Sequence, residues 1–254
     1  MSAQRSDLDL WIRRLAPVSD PHLQLVCFPF AGGAAGYFHW LHPLLGPDVE
    51  VLGVQYPGRQ GRRHEPVIED IQLLADQIHD ALASWQSQPL AFLGHSMGAV
   101  VAFEVARRFA RHGWRLPLAL IVSGRRAPSR RRVERLDTTD DDAVIAELRS
   151  LGGTDPAVLA DEELLQAILP AVRGDLRAIY VYRGPTTGAV LDIPITAIIG
   201  DRDPQVTTEE AKAWGEHTRR KFSLHVLPGG HFCLQDNATE MVRYLKQTLA
   251  SHIS

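Results

Sequence analysis

Leu90-Ala91-Phe92-Leu93-Gly94-His95-Ser96-Met97-Gly98-Ala99-Val100-Val101-Ala102-Phe103 runs from an apolar stretch through a five-residue turn into a second apolar stretch of helical character. A strand, a tight turn and a helix, with Ser96 at the tip between two glycines, is the layout of a nucleophile elbow. The chemistry accounts for the glycines. A serine held on so tight a turn has a strained backbone, and a side chain at Gly94 or Gly98 would collide with the adjoining strand or helix. The start of the helix also aims free N–H groups and its positive dipole end at the place where an oxyanion would form. Gly-x-Ser-x-Gly also arises by chance, so the reading depends on what surrounds the pentapeptide.

Working outward, apolar β-branched runs alternate with helical patterns, the signature of a mostly parallel sheet covered on both faces. Strands are expected at Leu23 to Phe28, Val49 to Gln55, Pro89 to Leu93, Leu118 to Ser123, Ile193 to Ile199 and Phe222 to Leu227. Ile71, Leu74, Ala75, Ile78, Leu82 and Trp85 recur at three- and four-residue intervals, which predicts a helix over 68–85 with one buried face. Further helices are expected over 99–110, 209–217 and 238–250. One stretch breaks the alternation. From Gly124 to about Gly188 the chain passes a basic run, Arg125 to Arg135, and continues as amphipathic segments near 143–151 and 161–182. Some sixty residues are too many for a simple crossover, and they predict a helical lid inserted over the strand ends. The expected organisation is one domain, 1–254, with a lid at about 125–188.

Composition excludes several function classes. A formal net charge of -3 over 254 residues gives no general pull toward nucleic acid, and 22% charged with 45% hydrophobic residues is an ordinary globular balance. The N-terminal residues carry acids where a secretory signal needs an apolar core, and no segment reaches the length of a membrane span. A cytoplasmic protein is expected. Cys27, in a predicted strand, and Cys233, in a predicted loop, lack metal-ligand spacing and read as free thiols. His39 and His42 are spaced for a metal but have no carboxylate or cysteine companion, so a core or surface role is expected and no metal is assigned.

Ser96 needs a base within hydrogen-bonding reach, and the base needs an orienting acid. His231 follows the last predicted strand and the turn Pro228-Gly229-Gly230, where serine, acid, histidine order puts the base. His95, on the elbow itself, is expected to point away and to pack. The loop after Ile199 offers Asp201 and Asp203. Asp203 is favoured because it lies further out and is held by Pro204, whereas Asp201 abuts the strand and could instead fix the loop. For the oxyanion, Met97 supplies one backbone N–H, and the loop Phe28-Pro29-Phe30-Ala31-Gly32-Gly33 supplies the other. Ala31 is the expected donor, with Phe30 and Gly32 as alternatives. The same loop approximates a dinucleotide fingerprint at Ala31, Gly33 and Gly36. The next strand, however, ends in Gln55 and Tyr56 and lacks the ribose-binding acid, so no cofactor is assigned.

With these residues placed, the chain resembles the type II thioesterases that accompany modular polyketide synthases and nonribosomal peptide synthetases, members of the α/β-hydrolase fold. The resemblance runs from Leu25-Val26-Cys27-Phe28-Pro29-Phe30-Ala31-Gly32-Gly33 through Gln55-Tyr56-Pro57-Gly58-Arg59 and the elbow to Gly200-Asp201-Arg202-Asp203-Pro204 and Gly229-Gly230-His231-Phe232. It implies hydrolysis of acyl thioesters from the phosphopantetheine arm of an acyl or peptidyl carrier protein. By motif, Ser96 would be nucleophile, His231 base, Asp203 acid, and Ala31 with Met97 the oxyanion donors. Phe30 stands where such proteins often carry histidine, which bears on the pocket wall and not on the donor. The arginines of 125–135 could steer an acidic carrier or hold the arm's phosphate, or could simply be a solvated edge. An ester hydrolase or acyltransferase of the same fold, and a noncatalytic carrier-binding protein, are the alternative readings.

Overall fold

A computed structural model describes residues 10–85, 87–132, 137–185 and 189–249. Its frame is a seven-stranded sheet of order β1-β3-β2-β4-β5-β6-β7, comprising β1 (Ile12–Arg14), β2 (Leu23–Phe28), β3 (Val49–Val54), β4 (Leu90–His95), β5 (Leu120–Ser123), β6 (Ile195–Gly200) and β7 (Phe222–Leu227). Strands β2 to β7 pair in parallel, and β1 runs antiparallel along β3 with Ile12 opposite Val54. This is the α/β-hydrolase sheet expected from the sequence. The six expected strands are present. β1 went unread because three residues, two of them arginine, make no alternation to detect. β6 begins two residues later than expected, after Pro194, which has no N–H to give a ladder.

Every residue of β2 to β6 is buried, which fits strands covered on both sides. Alternate residues therefore feed two cores. Val26, Phe28 and Phe92 join the helices α2 (Ile71–Ala81) and α3 (Met97–Arg111) on one face. Leu25, Cys27, Ala91 and Leu93 pack on the other face against the helical turn Ala35–Leu41, the short α1 (His42–Leu45) and the terminal α9 (Ala238–Leu249).

The helix expected over 68–85 is α2 followed by a tighter turn at Ala83–Trp85. It starts at Asp70, whose carboxylate accepts from the N–H groups of Gln72 and Leu73 at 2.7 and 2.9 Å. That expected over 209–217 is α7 (Thr208–Lys212) continued as a tight turn, and it opens with a Thr207–Glu210 capping box. Residue 250, the expected end of the terminal helix, lies outside the described residues.

Between β5 and β6 lie α4 (Asp141–Leu151), α5 (Pro156–Ala160) and α6 (Glu162–Val181). They form a core of their own in which Val144, Ile145 and Leu148 meet Leu165, Leu169, Val172 and Leu176, with Ala31 packed against it. Arg135 and the other end of the insertion near 186–188 lie outside the described residues. Cys27 and Cys233 are buried free thiols. Cys233 opens the one-turn helix α8 (Cys233–Asp236) and is not in a loop, because the turn after His231 winds directly into it.

Candidate active site

Ser96 sits between β4 and α3 at φ 54°, ψ -118°, a backbone conformation that non-glycine residues rarely adopt. Its surroundings hold it there. A Cβ on Gly94 would run into the backbone of Gly98 and Ala99, and one on Gly98 into the carbonyl of Phe28. The Ser96 N–H donates to the Ser123 carbonyl at 2.8 Å and ties the elbow to the end of β5.

The loops after β6 and β7 bring the expected partners to the same end of the sheet. Nδ1 of His231 lies 2.9 and 3.0 Å from the two carboxylate oxygens of Asp203, and both side chains are almost wholly withdrawn from solvent. Asp203 also accepts from the Gln205 N–H at 2.8 Å, which fixes its carboxylate. Asp201 does something else: it accepts from the Gly229 N–H at 2.7 Å and so clasps the loop that carries His231. Ser96 and His231 face one cavity, walled by Phe30, Ala31 and Met97 from the sheet side and by Leu148, Val172 and Leu176 from the insertion.

His95 is fully buried and packs, as expected, but it does not point away from His231. Its ring centroid is 5.1 Å from that of His231 and 5.0 Å from that of Phe232. Burial, and then the neighbouring His231, holds its pKa well below the ordinary imidazole value, so it stays neutral. The glycine loop separates its own candidates as donors. Gly32 N–H is already given to the carboxylate of Asp175 at 2.7 Å, and Gly33 N–H to the Phe30 carbonyl at 2.9 Å. Ala31 and Met97 both line the cavity beside Ser96.

Residues 23–249 match the thioesterase-domain family. This chain belongs to the thioesterase family. Thioesterase PikA5 of Streptomyces venezuelae is 47% identical over 92% of this chain and 84% of its own length. The "probable cadicidin biosynthesis thioesterase" of Streptomyces griseus is 44% identical over 94% of this chain and 66% of its own length. Among solved structures, the type II thioesterase BorB from the borrelidin cluster superposes with a TM-score of 0.88 at 46% identity, covering 95% of this chain and 98% of that one.

In this thioesterase the Pro57-Gly58-Arg59 turn has a mechanical role that sequence reading missed. Arg59, 6% exposed, grips Asp175 of α6 through two bonds, at 2.5 and 2.9 Å, and donates to the Gly33 carbonyl at 3.2 Å. Asp175 in turn holds Gly32. One buried ion pair thus joins the glycine loop, the turn after β3 and the inserted helix. The available signal was Asp175 itself, an acid on the stripe formed by Val172, Leu176 and Ile179. Arg125, the first arginine of the basic run, lines the cavity along with Phe232 and residues of the insertion. His39 and His42 lie away from the cavity lining, on the turn Ala35–Leu41 and at the start of α1. Among the described residues no group of three or more histidine, cysteine or acidic side chains is gathered as metal ligands, and no helix is long and apolar enough to cross a membrane.

Proposed function

We propose that this thioesterase hydrolyses stalled or aberrant acyl groups from the phosphopantetheine arm of acyl or peptidyl carrier proteins, as an editing enzyme for a polyketide or peptide assembly line. The observation that carries the reading is the Asp203–His231 hydrogen bond at the edge of a cavity that also contains the strained Ser96. In the proposed reaction, His231 takes the Ser96 proton as Oγ attacks the thioester carbonyl. The N–H groups of Ala31 and Met97 stabilise the oxyanion. Collapse breaks the C–S bond, and the thiolate takes the proton from His231 and leaves, easily because a thiol is far more acidic than a neutral amine. His231 then takes a proton from water, the hydroxide attacks the acyl-serine, and free acid departs as Ser96 recovers its proton. Asp203 holds the imidazole tautomer throughout. The protein's own groups supply every step, so the reading calls for no cofactor.

The chain is proposed to act as one domain whose insertion at about 125–188 serves as a lid. Buried free thiols at Cys27 and Cys233 support a cytoplasmic location. The test is mass spectrometry of a panel of acylated carrier proteins, with matched oxygen esters, before and after exposure to this enzyme and to Ser96→Ala. Loss of acyl groups from the carriers, dependent on Ser96, is expected. Preference for the oxygen esters, or loss that survives Ser96→Ala, would overturn the reading.

A further inference from the structure

Beside the catalytic cavity lies a second one of about 210 Å³, ample for a tetrahedral oxyanion with its waters. Its wall holds Arg125, Arg126, Arg130, Arg131, Arg132 and Arg183, and among the described residues no carboxylate lines it. Arg125, Ile179 and Tyr180 are common to both cavities, so the two are neighbours across a shared wall.

The charges are unevenly satisfied. Arg130 pairs with Glu216, and Arg132 with Glu210 at 2.5 and 2.7 Å, both on the rim. Arg131 donates to the Gly184 carbonyl at 3.0 Å, and Arg183 to the carbonyls of Tyr180 and Tyr182, contacts that leave the positive charge uncancelled. Arg125 is only 9% exposed, and among the described residues no acceptor bonds its guanidinium. Its backbone is pinned. It follows Gly124, a turn at φ +61° off the end of β5, and its carbonyl accepts from Trp214 Nε1 at 2.8 Å. Burial, opposed only in part by nearby tyrosines and Glu210, draws its pKa down to about 10. Arg126 is drawn down equally, by burial and then by Arg125. A guanidinium kept in so poor an electrostatic environment is stabilised by an anion that supplies the missing acceptors.

We infer that this arginine-lined cavity binds the phosphate ester of the pantetheine arm while the thioester lies at Ser96. The inference deepens the proposed function and rests on it for the identity of the arm. The shared chemistry is a phosphate ester on a pantetheine chain, borne by a carrier protein or by coenzyme A. The cavity lining includes exposed Arg131 and Arg183 and buried Arg125, which also lines the cavity of Ser96, so a chain held there by its phosphate lies next to the catalytic cavity. The geometry also gives five of these arginines different duties. Arg130 and Arg132 are engaged by acids, while Arg125, Arg131 and Arg183 carry the free charge.

The direct test is calorimetric titration of the full chain, carrying Ser96→Ala so that nothing turns over, with 4′-phosphopantetheine and with pantetheine. Phosphopantetheine is expected to bind about tenfold tighter or more, the usual scale of a pair of charge-assisted hydrogen bonds. The difference should shrink to within about twofold in Arg125→Gln and in Arg131→Gln, the latter an exposed position that does not bear on folding. Equal binding of the two compounds, or a phosphate preference that survives both substitutions, would overturn the inference. Titration with holo carrier protein and with coenzyme A then identifies the source, by which of the two loses more affinity in Arg131→Gln. Because binding is read without turnover, failure of the hydrolysis test would sink the editing function while a phosphate preference here still stood.

Discussion

The strain at Ser96 is sustained by contacts on both sides, and those contacts make the elbow intolerant of added volume. Gly98→Ala would place a methyl group against the Phe28 carbonyl, so the expected outcome is a protein that loses its cooperative unfolding transition or melts well below wild type in calorimetry. The two aspartates of the loop after β6 are separated by their partners and not by their type. Asp203 bonds His231, while Asp201 bonds the Gly229 N–H. Asp203→Asn is expected to lower kcat by roughly 10³–10⁴, the scale seen when an orienting carboxylate is neutralised. Asp201→Asn keeps an acceptor for Gly229 and should stay within about tenfold of wild type, on the modest cost of one weakened hydrogen bond. Steady-state kinetics on one acyl thioester decides this, and the reverse ranking would show that the loop works differently. Both aspartates were legible in Gly200-Asp201-Arg202-Asp203-Pro204, and so was the preference for Asp203, two residues further out and held by Pro204; the partner of Asp201 was not, because the Gly229 N–H lies 28 residues away and nothing local links the two.

Among the elements, α6 is tied to the sheet by chemistry as well as by its apolar stripe. Arg59 and Asp175 are nearly solvent-free, so removing one leaves the other charged and buried. Arg59→Ala should destabilise the fold by about 3–5 kcal/mol in denaturant titration. Arg59→Lys keeps charge but loses the fork that grips both carboxylate oxygens. Its expected signature is a fall in kcat with KM little changed, because Asp175 and Gly33 hold the loop of Ala31. If KM rose while kcat held, Arg59 would be shaping substrate binding instead. The cavity beneath the insertion is small, about 40 Å³, room for a few waters. Leu148 lines it, so Leu148→Ala should shift preference toward longer chains in a chain-length series. Helices α4 and α6 of the insertion were readable from their spacing, while the short α5 was not. What held them down was not, because Arg59 and Asp175 stand 116 residues apart and nothing local links them.

Across the whole molecule, three histidines set how the fold responds to acid. His95 at the end of β4, His217 near Ala189 and Ser129, and His225 stacked on Tyr244 all have pKa values below the ordinary 6.5, in each case first because burial disfavours the charged form. The unfolded chain takes up protons on these rings near pH 6.5 and the folded chain does not. Their contribution to stability is therefore complete above pH 6.5 and is lost as pH falls below it, by up to about 1.4 kcal/mol per pH unit for the fully buried His95 and by less for His217 and His225, whose partial exposure lets solvent screen the charge. The glutamates held below their ordinary 4.5, Glu65 and Glu216 by Arg62 and Arg130, act with the same sign in a lower window, so the two effects separate on the pH axis. Urea midpoints at pH 7.5, 6.5 and 5.5 should fall stepwise. His225 is the informative position because it is partly exposed and lies away from the Ser96 cavity, so His225→Gln should fold and show a shallower fall. A midpoint independent of pH across that range would mean that the three rings are protonated as easily in the folded chain as in the unfolded one, contrary to their burial.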